Sequence, residues 1–316
     1  MDIDAIEQRV EAMTAEGRRI VTEAIERYKP VAIVAAFSGG DDSIVSTHFL
    51  LSQYEGAFAF YADTLVGLSP TRNHIRAVCD RYGWALETGQ ARAEGPPKLM
   101  RSRGKLVPFD AAAVCPAGRW DDGDTAYEEF AINFGFPGRG KPQHARMYQR
   151  LKERPIRRML RRLGATKAKK KVLMISGIRH DESAIRAGYK RETSVGHFGD
   201  IWVNPFYYRT AQDFEAYRQE FGLPRNPVKR RCGISGECCC GTFANPGERS
   251  AYREADPGFA DYLSNLESRV SENGFPWGWG ESPPQWWIDQ RRGQRFLFDL
   301  APGFQPMCVG CVSGRR

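Results

Sequence analysis

The stretch VAIVAAFSGGDDS, residues 31–43, decides the reading of this chain. Its first seven residues form an unbroken apolar run after Pro30, the pattern of a strand buried on both faces. They deliver into Ser38, Gly39, Gly40, Asp41, Asp42 and Ser43, after which Ile44, Val45, His48, Phe49 and Leu51 recur at helical spacing. A strand, a Ser/Gly/Asp turn and a helix in this order make an anion cradle. The glycines admit close approach, successive N–H groups form a nest, and the helix turns its positive end to the same place. Ser38 and Ser43 add hydroxyl donors, and Asp41 or Asp42 suits a magnesium ion bound to phosphate oxygens. The GxxxxGK[ST] pattern of a Walker loop is absent.

Working outward, residues 2–28 read as an amphipathic helix carrying Ile6, Val10, Met13, Ile20, Ala24 and Tyr28 on one face. Downstream come a strand at 57–62, a helix at 70–82 and a strand at 84–87, then a weakly patterned stretch to about 150. A helix opening at Pro155 and ending at Gly164 follows, with strands at 172–176 and 201–203. Thr210 and Asp213 have the spacing of a capping box for a helix to Phe221. Strands alternating with helices predict an α/β fold with a doubly wound, mostly parallel sheet. Three regions are expected: an N-terminal helix (1–30), a nucleotide-binding α/β domain (31–228) and a Cys/Trp-rich module (229–316).

Of the 316 residues, 41% are hydrophobic and 27% charged, which excludes disordered, collagen-like and coiled-coil chains. No apolar run of membrane-spanning length exists and the first residues are acidic rather than signal-like, so a cytoplasmic protein with no membrane partner is expected. The net charge of +8 is local. Residues 150–171 hold eleven basic residues and one acid, so the remainder is slightly acidic. This segment is a candidate contact for DNA or RNA phosphates.

Six of the eight cysteines, Cys232, Cys238, Cys239, Cys240, Cys308 and Cys311, fall in the last 85 residues. In a cytosolic chain such clustering points to a metal, either a [4Fe–4S] cluster or a structural zinc. The preferred ligand set is Cys232, Cys240, Cys308 and Cys311, with Cys238 as the substitute. Cys79 reads as a core residue. The tryptophans of 275–279 and 286–287 suit base stacking or, more simply, the cover of a small module lacking secondary structure.

SGGDDS resembles the SGGxDS signature of the PP-loop ATP pyrophosphatases, the adenine nucleotide α-hydrolase-like, Rossmann-like fold, and within them the phosphoadenosine phosphosulfate (PAPS) reductase family. Further matches occur in family order: Ala62-Asp63-Thr64, the stretch from Gly177 through Arg179, Glu182 and Ser183 to Arg186, Val203-Asn204-Pro205, and GLPRNP at 222–227. The resemblance implies that residues 38–43 cradle phosphates or sulfate, that Asp63 lies beside the nucleoside, and that Arg179 and Arg186 supply fixed positive charge. Lys152, in LKERP at 151–155, matches an expected anion contact. The adjacent iron–sulfur cysteines that one branch, the adenylylsulfate reductases, places upstream of that lysine are replaced here by Met147 and Tyr148, and the reductases' catalytic cysteine tail is missing.

The resemblance therefore implies an enzyme that binds ATP with Mg²⁺, cleaves it between the α and β phosphates and adenylates an acceptor, nucleic acid among the candidates, for sulfur transfer; sulfur-inserting members of the superfamily, such as DNA-phosphorothioation sulfurtransferases, are expected to use iron–sulfur clusters. A sulfur-donor protein is the further partner expected. Two alternatives stand beside it: a PAPS or adenylylsulfate reductase releasing sulfite, and a non-catalytic ATP-sensing subunit of a modification or defence complex.

Overall fold

The computed structural model describes residues 3–182, 192–234 and 236–291. A long helix, α1 (Ile3–Tyr28), leads into β1 (Ala32–Ala36). Then follow α2 (Asp41–Leu51), β2 (Phe58–Asp63), α3 (Ser69–Tyr82) and β3 (Leu86–Gln90). A small antiparallel hairpin, β4 (Leu99–Ser102) with β5 (Lys105–Pro108), and the helices α4 (Ala111–Val114), α5 (Ala126–Phe134) and α6 (Lys141–Tyr148) fill the weakly patterned stretch. A π-helical turn, Gln149–Glu153, joins α6 to α7 (Arg154–Arg162), and β6 (Val172–Ile175), β7 (Thr193–Val195) and β8 (Asp200–Val203) complete the sheet.

The sheet order is β3-β2-β1-β6-β8-β7, parallel throughout except for the β7–β8 edge pair. The chain builds outward from β1 to β3, then returns to β6 on the other side of β1. That reversal opens a crevice beyond the carboxyl ends of β1 and β6, the switch point where open α/β sheets bind ligands. Both faces are covered. On one, α1, α2, α3 and α8 (Ala211–Glu220) bury Met13, Phe49, Ile75, Phe206, Phe214 and Tyr217. On the other, Ile156, Met159 and Leu160 of α7 pack on Val34, Phe60 and Met174. Central strands reading VLMI with every residue buried are what two-sided cover requires.

A second core lies beside the sheet. Here Ala126, Tyr127 and Ile132 of α5 and Met147 of α6 pack against Leu263, Leu266 and Val270 of α11 (Pro257–Glu272) and against Phe275, Trp277 and Trp279. The weak stretch 89–150 and the Cys/Trp-rich region thus share one interior. That region also has helical structure, α9 (Pro227–Cys232), α10 (Glu248–Ala255), α11 and α12 (Gln285–Arg291), which corrects the expectation of a module without secondary structure. Among the described residues, no helix is long and apolar enough to cross a membrane.

Candidate functional site

The turn between β1 and α2 stands at the switch point, and a cavity of ≈ 410 Å³ opens in front of it. Ser38, Gly40, Asp41, Asp42 and Ser43 form one wall of this cleft. Gly40 caps α2 with no side-chain hydrogen bond, so the first-turn N–H groups lack the partner that a capping side chain would give. Ser43 Oγ donates to the Gly40 carbonyl at 2.8 Å, and Ser38 Oγ donates to Ser43 Oγ at 3.1 Å, which sets both hydroxyls on the cleft side. Gly39 turns away from the cleft with φ +74°, and a Cβ there would stand 2.6 Å from Ile75. Gly177, after β6, is equally constrained, since a Cβ would meet the Asp42 carbonyl at 2.3 Å. Two glycines thus let three backbone segments converge at one point.

The opposite wall comes from the π-helical turn. It presents Lys152, and Tyr148 at the end of α6 and Trp202 of β8 join it. Such turns interrupt α-helices at functional sites, because the extra residue re-aims the side chains around it. Lys152 Nζ lies 2.9 Å from Glu237 Oε2. Burial pushes its ammonium toward the neutral form, but Glu237, Cys238 and Tyr148 more than offset this and its pKa stands above the usual lysine value. The cleft therefore holds a permanent cation at its inner end.

Other expected residues sit differently. Asp63 is fully buried and does not line the cleft: Oδ1 accepts from the Leu65 N–H at 3.0 Å and Oδ2 faces Arg72 at 3.4 Å. Its carboxylate shapes the turn after β2, and Ala62 is the residue of this stretch presented to the cleft. Arg179 is not in the cleft wall either. It donates through Nε to Asp42 Oδ2 at 3.1 Å and through Nη1 to Asp181 at 2.6 Å, so it holds Asp42 from behind. Arg186, Cys308 and Cys311 lie outside the described residues.

Asn226, in the GLPRNP stretch, donates to the Gly39 carbonyl, and Ser176 Oγ donates to Asn204 Oδ1 at 2.5 Å, tying the ends of β6 and β8. The sequence reading missed Glu237, Lys229 and Trp202 as cleft residues. Lys229 carried a usable signal, the basic run that follows Pro227.

A second cavity of ≈ 640 Å³ adjoins the cleft and shares Tyr148, Lys152, Ile178 and Trp202 with it. Cys238 and Cys240 line it. Their thiols hydrogen-bond to each other: that contact pulls Cys240 down and, together with burial, pushes Cys238 up. Cys232 points elsewhere, its Sγ directed at the Ala251 carbonyl at 3.6 Å, and Cys239 is buried beneath the loop. Among the described residues, no three candidate ligands converge. The loop itself is pinned to the β2–α3 connection, since Leu68 N donates to Gly236 O at 2.8 Å and Cys239 N donates to Val66 O at 2.9 Å.

About half of the basic segment is paired with carboxylates. Arg150 pairs with Glu129, Arg154 and Arg158 with Glu94, Arg157 with Glu153, and Arg162 with Glu87. Lys167, Lys169 and Lys170 are exposed. They precede β6 and therefore lie at the end of that strand opposite the cleft. Phe275, Trp277 and Trp279 are buried, with the indoles donating to the Phe136 and Cys239 carbonyls, so these rings are packing residues.

No protein-family profile matches this sequence, and no curated protein matches it. Among solved structures the chain is similar to a PAPS reductase from Candida auris in complex with phosphate, at 18% identity and TM-score 0.44 over 73% of this chain and 92% of that one. It is also similar to an FMN adenylyltransferase from Candida glabrata in complex with FMN and an ATP analogue, at 12% identity and TM-score 0.46 over 78% and 68%. A third is the NH3-dependent NAD synthetase from Campylobacter jejuni, at 16% identity and TM-score 0.38 over 90% and 98%.

Proposed function

We propose that this protein binds ATP in the cleft and cleaves it between the α and β phosphates, transferring adenylate to an acceptor oxygen. The observation that carries this reading is the Ser38–Gly39–Gly40–Asp41–Asp42–Ser43 turn at the sheet's switch point, with uncapped helix N–H groups and two hydroxyls turned to one cavity. The backbone N–H groups and the Ser38 and Ser43 hydroxyls hold the departing pyrophosphate. Lys152 meets the negative charge that develops on the other side. Magnesium enters as part of the nucleotide substrate. Asp42 suits it, since the described residues engage that carboxylate through Oδ2 alone, while Asp41 is already surrounded by cations. Arg179 acts through Asp42 as a positioning residue.

In this reading a sulfur nucleophile from a donor then attacks the acceptor atom that bears the adenylated oxygen, and AMP leaves carrying that oxygen. Cys238 and Cys240, thiols in mutual contact on the wall of the adjoining cavity, are the described residues whose donor chemistry fits a thiolate-bound metal; Cys308 and Cys311 would complete the set in preference to Cys232, whose Sγ is directed at the Ala251 carbonyl. A [4Fe–4S] cluster there would supply electron transfer or sulfur binding, and zinc would supply a staple. For a nucleic-acid acceptor the contact would fall to Lys167, Lys169 and Lys170, because most of the α7 arginines are spent on internal carboxylates.

Assaying Mg-ATP with the purified chain, alone and with single-stranded and duplex DNA and RNA, tests the core of the proposal. AMP and pyrophosphate are the expected products. Formation of ADP and phosphate overturns it, and ATP binding without any turnover favours the ATP-sensing alternative. Sulfite released from PAPS would favour the reductase.

A further inference from the structure

Three cations converge on one carboxylate oxygen at the edge of the cleft, Lys229 in its wall, Arg225 half-exposed beside it and Arg218 buried behind Asp41. Arg225 Nη1, Arg218 Nη1 and Lys229 Nζ stand 3.5, 3.7 and 3.8 Å from Asp41 Oδ2. All three are ion-pair distances, and all are too long for hydrogen bonds. Two buried atoms are left over. Asp41 Oδ1 and Arg218 Nε have no hydrogen-bond partner, an arrangement that costs free energy in an enclosed place. Glu215 takes up part of the charge, accepting from Arg218 at 3.1 Å and from Arg225 at 2.6 Å, and still leaves three cations facing two carboxylates.

A group with more oxygens would satisfy this arrangement better than Asp41 does. A phosphate offers three terminal oxygens spread over a tetrahedral face, matching several donors at once where a carboxylate edge does not. Lys229 and Asp41 both line the nucleotide cleft, and Asp41 opens α2, so the cations border the N–H groups of the loop. We propose that Arg218, Arg225 and Lys229 form a polyphosphate subsite that takes the terminal phosphate of a nucleoside triphosphate, with Asp41 as the internal anion that holds the three cations together until the ligand arrives. This rests on the ATP reading above and names the part of the substrate that the α8–α9 side selects. It also reverses the expected role of Asp41, which restrains anion binding here instead of ligating magnesium.

Calorimetric titration of the full chain with AMP, Mg-ATP and inorganic pyrophosphate tests the subsite. The side chains of Arg225 and Lys229 are 46% and 44% exposed, so their removal leaves the core intact. Arg225→Gln and Lys229→Gln are each expected to weaken ATP and pyrophosphate binding about tenfold while leaving AMP unchanged. Asp41→Asn is expected to tighten pyrophosphate binding by a similar factor. Equal losses for AMP and ATP, unchanged pyrophosphate binding, or weaker pyrophosphate binding by Asp41→Asn would each overturn the subsite. A wild-type chain that binds neither AMP nor ATP would overturn the ATP reading as well. Should Asp41→Asn fail to fold, the two glutamine variants decide the matter alone.

Discussion

Asn226 Nδ2 donates to the carbonyl of Gly39 at 3.0 Å, joining residues 187 apart in the chain. Both are buried at the back of the β1–α2 turn, and Asn226 also reaches Thr71 Oγ1 at 3.3 Å while its Oδ1 caps α9 through the Val228 N–H. One amide thus fixes the turn, α3 and α9 relative to each other.

Replacing Asn226 by Ala removes that amide and strands the Gly39 carbonyl. A loss of about 1–3 kcal/mol is expected in denaturant unfolding, along with weaker ATP binding. Full stability of the variant would show that the turn is held by other contacts.

Lys152 is the cation between the two cavities, and Glu237 is its present partner. Lys152→Gln should reduce ATP affinity or turnover about tenfold or more. Glu237→Gln should not, because it frees the ammonium for the ligand. Titrating both variants with ATP distinguishes this from a purely structural ion pair, in which the two losses would match.

Thr210 caps α8, and Asp213, the third residue of its capping box, accepts from the Thr210 N–H at 2.9 Å and from Arg9 of α1 at 2.7 Å. Burial pushes its carboxyl up, but the Thr210 N–H and hydroxyl and Arg9 prevail, so its pKa is held below the ordinary aspartate value. A depressed folded pKa contributes stability above the unfolded pKa and loses it as pH falls through the folded one. Thermal unfolding across the range below about pH 4 should therefore show a loss that Asp213→Asn lacks. At neutral pH the same variant should be less stable by about 1 kcal/mol.

Anaerobic purification followed by iron and zinc analysis reads out the cysteines. Cys238→Ser and Cys240→Ser should each lose bound metal, and Cys232→Ser should keep it, because that thiol faces the Ala251 carbonyl instead of the cavity. Equal retention in all three variants would remove the metal from the proposal.

Charge reversal separates the two halves of the basic segment. Lys167→Glu with Lys169→Glu and Lys170→Glu should weaken nucleic-acid binding and flatten its salt dependence, whereas Arg158→Glu with Arg162→Glu should mainly destabilise the chain by repelling Glu94 and Glu87. Binding unaffected by the lysine changes would exclude this surface.

The sheet and its turn were legible because their signals are local: an apolar run, two glycines and a helical period within twenty residues. The helix opening at Pro155 and the Thr210–Asp213 capping box were read from the same kind of evidence. The segment 89–150 was not, although Thr125 and Glu128 make a capping box of the same design, because its helices are short and their partners lie beyond residue 228. The site divided likewise. The turn residues Ser38, Gly40, Asp41, Asp42 and Ser43, and Lys152, line the cleft, whereas Asp63 and Arg179, which carry matching motifs, stand behind its wall, a placement set by neighbours that spacing does not reveal. Glu237 belongs to the cleft only because its loop folds back across the β2–α3 connection.

The shared interior of the α5–α6 region and the chain beyond residue 228 has a consequence for biosynthesis. Tyr127, Leu68 and Val66 wait for Leu263, Val270, Phe275 and Trp277, residues that leave the ribosome long after the sheet strands are complete. The turn after β2 and the cysteine loop are stitched together only then. Folding of this protein is consequently completed from its far end, and a chain released early would carry a finished sheet beside an unfinished cleft.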